Sequence, residues 1–291
     1  MKTKTLLLVL IVFFGSPFLS CFGFPNQTSS DTDKNRGELV LLPKFHSETL
    51  SNDRTIRVWL PPGYGTNKKR RYPVFYFHDG QNIFTNGPSF IPNQSWRADA
   101  TALALIQSKK IPAMILVGID NTGGGRVKEY TTSEDPKFKG GGGGDAYGKM
   151  LVEELKPYID SHYRTLKDAK NTGLGGASLG GLISLRLGLN YPKVFGKLAV
   201  MSPSIWWNKE AILHEIEGMT KKPKLKIWLD VGLKEGYEMV NPTQKMRAQF
   251  ILKGWKEETD LKYAEGAEAG HNEKAWAERL PEAMTFLFGA G

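Results

Sequence analysis

Short apolar runs alternate with longer amphipathic segments along most of this chain. Two β-type segments come first, ELVLLPKFHSETL and RTIRVWLPPGY, and a Pro-Pro-Gly stop ends the second. Six further runs have the length and composition of strands: 72–77, 113–119, 172–176, 197–202, 225–231 and 261–264. Six longer segments favour helices: 96–108, 146–163, 179–191, 209–217, 242–255 and 276–288.

The order of these segments predicts the architecture. Strands that alternate with helices, and that are apolar throughout, are typical of a largely parallel sheet covered by helices on both faces. We expect about eight strands in that sheet. Ligands of such sheets bind beyond the carboxyl ends of the strands, so the residues that follow each strand are the candidates for chemistry.

The segment GLGGASLGG, residues 173–181, follows one of these strands and holds five glycines around a single serine. Glycine in the interior of a helix or strand costs roughly 0.5–1 kcal/mol relative to alanine, so stability does not explain them. Gly176, Ser178 and Gly180 form a G-x-S-x-G motif between a strand and a helix, the context of a nucleophile elbow. Ser178 is therefore the predicted nucleophile.

A serine hydroxyl needs a general base, and that base needs an acid to hold it. Among the histidines after Ser178, His214 falls inside an amphipathic segment, whereas His271 follows the small-residue loop AEGAEAG. We predict His271 as the base. Glu235, in the loop after the strand KLKIWLDVG, is the predicted acid, and Asp230 within that strand is the alternative.

The oxyanion of an acyl-transfer intermediate requires preorganised N–H donors. The backbone N–H of Leu179, directly after the nucleophile, is one predicted donor. The second is expected from the loop after the YPVFYF strand, at Gly80 or Gln81. His78 in the same loop is expected to be structural.

Taken together, these motifs resemble the esterase branch of the α/β-hydrolase superfamily that includes enterochelin, feruloyl and acetylxylan esterases. The resemblance runs from roughly residue 38 to 288 and rests on six stretches in order: YFHDGQNIF, VGIDNTGGGRVKEYT, YRTLKDAKNTGLGGASLGGL, MSPSIWW, WLDVGLKEG and AGHNEKAWAERLPEAMTFLFG. It implies an α/β-hydrolase fold, Ser178 as nucleophile, His271 as base and an acid at Glu235. The His-Gly pair of the family's oxyanion loop is interrupted here by Asp79, which leaves the second donor open.

Four further residues after strand ends are candidates for substrate contact. Trp206 and Trp207 present flat apolar faces for a sugar or an aromatic ring, or else they pack as a core pair. Arg126 and Tyr130 line the pocket or brace its loop.

The composition adds limits on partners and cofactors. The 291 residues carry a net charge of +9, but the basic residues are scattered along the chain, and the densest run, residues 68–71, is expected to be a solvated loop. No nucleic-acid motif is present. The 140–144 glycine run lacks the Gly-Lys-Ser/Thr of a P-loop, and no metal-ligand spacing occurs, so neither cofactor nor metal is expected.

The first residues are typical of an export signal. Lys2 and Lys4 precede an apolar run at 6–14, and small residues follow for cleavage. The lone cysteine, Cys21, follows Phe-Leu-Ser as in a lipoprotein signal, or is lost with the leader. We expect a signal at 1–23, a flexible lead-in at 24–37, a catalytic domain at 38–291, and membrane contact only through a lipid at Cys21.

The sequence thus predicts an exported serine esterase, periplasmic, extracellular or lipid-anchored, that acts through an acyl-enzyme. Acyl esters of carbohydrate, feruloyl or acetyl, are the favoured substrates. A siderophore esterase of the enterochelin type is the first alternative. A non-catalytic protein that binds carbohydrate or siderophore on a hydrolase scaffold is the second.

Overall fold

The structure is a computed structural model and describes residues 35–289. The predicted signal, the cysteine at position 21 and nearly all of the lead-in lie outside the described residues. Within residues 35–289, no helix is long and apolar enough to cross a bilayer.

Eight strands form the central sheet, as predicted, in the order β1-β2-β4-β3-β7-β8-β9-β10. Their bounds are β1 Glu38–Ser47, β2 Asn52–Leu60, β3 Val74–His78, β4 Ile115–Ile119, β7 Thr172–Ser178, β8 Lys197–Pro203, β9 Lys226–Gly232 and β10 Leu261–Gly266. Two short strands, β5 Glu134–Asp135 and β6 Gly140–Gly141, pair separately.

Only β2 runs against the other strands of the sheet. It pairs antiparallel with β1 and β4, whereas the pairs from β4 to β10 are parallel. The sheet therefore has a carboxyl edge, where seven strands end, and an amino edge, where they begin. The turn from β1 to β2 lies at the carboxyl edge, and the β2–β3 connection lies at the amino edge.

Helices cover both faces of the sheet, which confirms the predicted α/β-hydrolase class. The helices are α1 Ala98–Gln107, α2 Arg126–Glu129, α3 Gly144–Lys149, α4 Lys156–His162, α5 Leu179–Asn190, α6 Trp207–Glu217, α7 Tyr237–Leu252 and α8 Glu273–Phe288. The predicted helix at 146–163 is interrupted by a π-helical turn, Met150–Leu155, between α3 and α4. Such a turn inserts one extra residue into the helical hydrogen-bond pattern, and the 3.6-residue apolar pattern continues on either side of it.

Alternate residues of each strand supply two separate cores. Val74 and Tyr76 face one core together with α3 to α7, whereas Phe75 and Phe77 face the other together with α1 and α8. Because the central strands are buried on both faces, their sequences show continuous apolar runs rather than alternation.

Candidate active site

Ser178 sits at the sharp turn between β7 and α5. Its backbone has φ 62° and ψ −126°, a conformation that costs a non-glycine residue of order 1–3 kcal/mol. The turn exposes part of the side chain in a cleft that also contains His271. The strand–turn–helix context expected from the sequence is therefore present, with the strain that the elbow requires.

The glycines around Ser178 allow close backbone approach. A Cβ on Gly176 would lie 3.0 Å from the carbonyl carbon of Gly180, and a Cβ on Gly181 would lie 2.9 Å from the carbonyl oxygen of Met201. The first contact closes the turn, and the second brings α5 against β8. These approaches explain the glycine cluster of the sequence.

His271 lies in the loop between β10 and α8 and contacts a carboxylate. Its Nδ1 is 2.8 Å from Oε2 of Glu235, whose side chain is fully buried. An ionised carboxylate only accepts hydrogen bonds, so Nδ1 carries the proton and Nε2 is left as an acceptor. The ring edge of His271 packs on Trp276, with centroids 4.9 Å apart at 87°. Carboxylate and indole together fix the imidazole.

Glu235 is held ionised by its hydrogen bonds. Burial raises its pKa, but donors from His271, Ser202 and the Gly232 N–H outweigh burial, and the net pKa lies below its ordinary value. The Ser202 hydroxyl donates to Oε1 at 2.5 Å, and the Gly232 N–H donates to the same atom at 2.8 Å.

Asp230, the alternative acid, lies beneath this pair and does not contact His271. Its carboxylate accepts from Trp228 Nε1 at 2.7 Å, Arg279 at 3.0 Å and the Ser202 N–H at 3.1 Å. Burial raises its pKa, although the ion pair with Arg279 opposes the shift. Arg279 also lies 3.7 Å from Oε1 of Glu235, so the two carboxylates share the guanidinium, but Glu235 is the one that contacts the imidazole of His271.

Ser202 links the two carboxylates and was not identified from the sequence. It is fully buried with φ 39°, and its hydroxyl also accepts from Trp276 Nε1 at 3.0 Å and from Arg279 at 2.8 Å. The only sequence signal was its place at a strand end, in MSPSIWW. Ser202 positions Glu235 without facing the cleft.

Ser178 and His271 share the cleft without a direct hydrogen bond. Within residues 35–289, the side-chain partner of the Ser178 hydroxyl is the Ser204 hydroxyl, at 3.3 Å. Ser204 is buried, and its N–H donates to the Ser178 carbonyl at 3.0 Å. Catalytic hydrogen bonds in ligand-free sites are often loose and tighten with substrate.

The predicted oxyanion donors lie at two helix starts. Leu179 is the first residue of α5, and Gly80 and Gln81 open a short 3₁₀ turn, Gly80–Asn82. The first N–H groups of a helix have no partner within it, so they are available to an anion. Gln81 lines the cleft with Ser178, whereas Gly80 lies behind it, where a Cβ would meet Ile119 N at 2.6 Å.

Asp79, the residue inserted into the expected His-Gly pair, anchors the cleft wall. Its carboxylate accepts from Arg126 Nε at 2.7 Å, from a terminal nitrogen of Arg126 at 2.9 Å and from Asn121 Nδ2 at 2.6 Å. Its own backbone is left-handed, with φ 56°. The bidentate pair fixes the loop that presents Gln81.

His78 is buried and structural, as expected. Its Nδ1 lies 2.9 Å from the Tyr147 hydroxyl, and burial lowers its pKa to about 3. It therefore stays neutral at physiological pH and takes no part as a base.

For two of the candidate substrate contacts, the structure shows the structural alternative. Tyr130 is fully buried, and its hydroxyl accepts from the Asp79 N–H at 3.2 Å, so it braces the loop. Trp207 is 2% exposed, stacks on Phe138 and donates to the Ser133 carbonyl at 2.8 Å. Both rings reach inward because the core offers them more apolar contact and a hydrogen-bond partner.

Of the other two candidate contacts, one lines the cleft and the other lies outside it. Trp206 is half-buried outside the cleft, and its Nε1 donates to Met239 Sδ at 3.1 Å. Arg126 does line the cleft, with 27% of its side chain exposed.

The cleft measures about 610 Å³ and has one apolar and one polar wall. The apolar wall comes from Pro88, Phe90, Ile91, Trp96 and Trp276. Phe90 is 84% exposed at the rim, which is unusual for a phenyl ring. All of them except Trp276, which lies on α8, come from the long 83–97 loop, most of which has no periodic sequence pattern.

Glu273 belongs to the polar wall and was also missed, although it follows His271 by two residues. It is 5% exposed, and its pKa is raised by burial and by the charge on Asp79. Asn82 donates to its Oε1 at 3.4 Å. With Arg126 already paired to Asp79, this wall carries no excess positive charge.

Metal ligands do not gather anywhere in the described part of the chain. Within residues 35–289, no group of three His, Cys, Asp or Glu side chains is arranged to hold an ion.

Comparison with known sequences identifies an esterase family and relatives that are named as esterases. The model of a family described as "Putative esterase" matches residues 47–287. An uncharacterized protein of Bacillus subtilis, YbbA, is 27% identical over 84% of this chain and 96% of its own length. An endo-1,4-beta-xylanase/feruloyl esterase of Xylanibacter ruminicola is 30% identical over 72% of this chain and 26% of its own length. Ferri-bacillibactin esterase BesA of Bacillus subtilis is 27% identical over 67% and 72%.

Solved structures share the fold. A ferulic acid esterase superposes with a TM-score of 0.68 at 17% identity, covering 87% of this chain and 98% of that one. The enterobactin esterase of Shigella flexneri superposes with a TM-score of 0.63 at 20% identity, covering 86% and 59%. The fold and the family match agree with the resemblance read from the motifs, and this chain belongs to the esterase family.

Proposed function

We propose that this protein is a serine carboxylic-ester hydrolase that acts through an acyl-enzyme. The observation that supports this most strongly is the 2.8 Å contact between His271 Nδ1 and Glu235 in a cleft shared with the strained Ser178. A nucleophile at an elbow, an imidazole of fixed tautomer and an ionised buried carboxylate are the parts that ester hydrolysis by serine needs.

The reaction follows from these parts. Ser178 Oγ attacks the ester carbonyl while its proton passes to His271 Nε2, and Glu235 stabilises the imidazolium. The N–H groups of Leu179 and Gln81 bind the oxyanion. The tetrahedral intermediate collapses, the alkoxide leaves with the proton from His271, and an acyl-Ser178 ester remains. Water attacks that ester with the same base and releases the acid and Ser178.

The two walls of the cleft favour an acyl ester of carbohydrate, with an aromatic acyl group such as feruloyl. The exposed Phe90 with Trp96 and Trp276 offers apolar faces for a ring. Asn82, Asn121 and Glu273 offer acceptors and donors for hydroxyl groups. Glu273 and the Asp79–Arg126 pair give no net attraction to an anionic iron catecholate, although siderophore esterases are among the relatives.

The same proposal places the enzyme outside the cytoplasm. The support is the predicted signal at 1–23, with its basic start, apolar run and small residues before the body of the chain. Polysaccharide esters are encountered there.

The mechanism is tested by kcat/KM on an aryl acetate for the wild type, Ser178→Ala and a matched control, Ser184→Ala. Ser184 lies on the same helix, fully buried, and its hydroxyl donates to the Gly180 carbonyl at 2.7 Å. We expect Ser178→Ala to lose at least about 10³-fold and Ser184→Ala to stay within tenfold. Equal losses, or full activity in Ser178→Ala, would contradict the proposal. A wild type that hydrolyses no ester but binds its ligand tightly would point to a binding protein.

The substrate is tested with methyl ferulate, acetylated xylan and iron-loaded enterobactin, each assayed for kcat/KM. We expect the highest value on methyl ferulate. Hydrolysis of the siderophore at least a hundredfold faster than of the other two would make the carbohydrate assignment wrong.

A further inference from the structure

The basic side chains that are scattered along the sequence gather at one edge of the sheet. Five of the six connections at the amino edge, 61–73, 108–114, 163–171, 190–196 and 218–225, together contain thirteen Lys and Arg residues and a single acidic residue, Asp168. The sixth connection, 253–260, contains two lysines and three acidic residues. The thirteen are residues 68–71, Lys109, Lys110, Arg164, Lys167, Lys170, Lys193, Lys221, Lys222 and Lys224. We call this set the basic edge.

Most of this positive charge is not neutralised by the protein. Eleven of the thirteen side chains are exposed, and Arg164 and Lys222 are half-buried. Within residues 35–289, only Lys222 of the thirteen forms an ion pair, with Asp260. Asp168 is instead engaged by Asn171. The basic edge therefore faces solvent with a large excess of positive charge.

Two adjoining grooves show that the edge is one continuous surface. One groove, of about 880 Å³, is lined by five lysines at the starts of β7, β8 and β9 and by Asp260. The other, of about 550 Å³, is lined by Arg70, Lys109, Lys110 and Phe288. The Lys197 ammonium lies 4.7 Å from the centre of the Phe288 ring, which joins the two grooves.

Crowding of positive charge is evident at Lys197. Burial, and next the charge on Lys226, lower its pKa to about 8, and Asp168 opposes the shift only in part. An anion placed in this groove would relieve that repulsion.

Apolar side chains are exposed beside the lysines. Leu252 is 74% exposed and Ile251 is 43% exposed at the end of α7, directly before the connection that leads to β10 at the same edge. Lys253 next to them donates to the carbonyls of Glu217 and Met219. An exposed apolar side chain among cations is typical of surfaces that enter the headgroup layer of a bilayer. Binding of a soluble polyanion does not require such a side chain.

The described chain also begins at this edge. Glu38, the first residue of β1, pairs with Leu60, where β2 reaches the amino edge. The segment that carries the predicted signal and Cys21 therefore joins the domain on the basic side, while the cleft with Ser178 opens at the opposite edge.

We propose that the basic edge docks this protein on an anionic lipid bilayer, with Leu252 in the headgroup layer and the cleft turned away from the membrane. Each Lys or Arg near an anionic bilayer contributes to the attraction, which falls off within a Debye length. The surface is broad, continuous and partly apolar, as an extended bilayer requires. This inference does not depend on the ester chemistry.

The first test is sedimentation with vesicles. The chain from residue 24 on is used, so that neither the predicted signal nor a lipid at Cys21 contributes to binding. We expect at least tenfold tighter binding to vesicles of phosphatidylglycerol and phosphatidylcholine than to phosphatidylcholine alone, with affinity falling steeply between about 0.1 and 0.5 M salt. Equal binding to both vesicles, or none to either, would overturn the proposal.

The second test compares two charge reversals of equal size. Lys170→Glu, Lys221→Glu and Lys224→Glu together should weaken binding to the anionic vesicles at least tenfold. Lys137→Glu, Lys139→Glu and Lys149→Glu, exposed elsewhere, should weaken it less than threefold. Equal losses of vesicle affinity in the two triple variants would mean that binding depends only on the net charge of the protein, which would contradict a docking surface. A rate of aryl acetate hydrolysis within twofold of wild type shows that each variant is folded. If the first triple variant is not folded, the triple variant Lys68→Glu, Lys109→Glu and Lys110→Glu takes its place.

A third test distinguishes the bilayer from a soluble polyanion. Leu252→Ala should weaken vesicle binding severalfold without changing the binding of polygalacturonate. Polygalacturonate at equal charge should displace the protein poorly from vesicles. If it displaces the protein fully, and Leu252→Ala has no effect on vesicles, the edge binds soluble polyanions and the membrane proposal is wrong.

Discussion

The two edges of the sheet differ in the pairing and burial of their charged side chains and in the number of residues with a strained backbone. At the carboxyl edge, ionic groups are paired and mostly buried, as in Asp79–Arg126 and Glu235–His271. At the amino edge, lysines are exposed and largely unpaired. The same sheet thus offers a preorganised site on one side and a charged, adaptable surface on the other.

Backbone strain follows the same division. Thirteen non-glycine residues among those described have positive φ, and eleven of them lie at or beyond the carboxyl ends of strands. Only Lys109 and Glu258 lie at the amino edge. Strain of this kind persists where the surroundings fix it and is concentrated at functional sites. The contrast indicates that precise geometry is needed at the carboxyl edge, whereas the basic edge depends on the sum of its charges.

The largest predicted effect comes from removing the base. His271→Ala should lower kcat/KM on an aryl acetate by at least about 10³-fold, because His271 is the histidine that lines the cleft with Ser178 and is the proposed acceptor of its proton. His214→Ala is the matched control, since His214 is the other histidine after Ser178 and lies exposed on α6 beside Glu217. It should stay within twofold. A comparable loss in both variants would break the assignment of the chemistry to the carboxyl edge.

The two carboxylates near β9 should separate activity from stability. Glu235→Gln should lower kcat by about 10²-fold or more, because the imidazolium loses its partner. Asp230→Asn should affect kcat less, but it should lower the free energy of unfolding by about 2 kcal/mol, since the buried Arg279 guanidinium loses its nearer carboxylate and keeps only Glu235, at 3.7 Å. Denaturant unfolding and kinetics on the same preparations measure both quantities.

Reversal of this ranking would show that Asp230 is the acid. The hydrogen bonds of Asp230 oppose that outcome, because they join it to Trp228, Arg279 and Ser202 and not to His271.

The pH dependence of stability gives a smaller effect with a definite sign. The pKa of Glu235 is lower in the folded protein than its ordinary value of 4.5, so the unfolded chain binds the proton more readily. Its contribution to the unfolding free energy is complete above pH 4.5 and is lost as the pH falls through the folded pKa. The stability difference between wild type and Glu235→Gln should therefore shrink below about pH 4.5. A difference that grows on acidification would contradict the ionised state of Glu235.

The smallest expected effect concerns the apolar wall. Phe90→Ala should raise KM for methyl ferulate roughly three- to tenfold, because one face for the aromatic ring is lost. Phe138→Ala is the control, since Phe138 is also exposed but packs beside Trp206 and Trp207 outside the cleft. Its KM should not change. Equal shifts would show that the tryptophan pair, and not the 83–97 loop, binds the ring.

The sequence predicted the sheet well because its central strands are apolar on both faces and its helices are periodic. The strand, turn and helix around Ser178 were recognisable because the close approaches at Gly176 and Gly181 allow no side chain. The loop histidine and Glu235 were recognisable by their order after Ser178.

Other parts of the site depend on tertiary contacts that no local pattern reports. Ser202 was hidden because its role arises from four partners that are distant in sequence. Trp207 and Tyr130 could not be assigned from the sequence, because a tryptophan or tyrosine after a strand end suits a cleft and a core equally well. The clustering of lysines in the basic edge could not be predicted from the sequence, because they come from five separate connections.

The central claim is that Ser178 is an activated nucleophile, and covalent labelling tests it most directly. The purified protein is treated with a fluorophosphonate, digested, and mapped by peptide mass spectrometry, with Ser178→Ala and His271→Ala alongside. We predict one label per chain on Ser178, greatly slowed labelling in His271→Ala, and none in Ser178→Ala. Labelling of another serine at the wild-type rate, or ester hydrolysis by a protein that takes no label, would contradict the account.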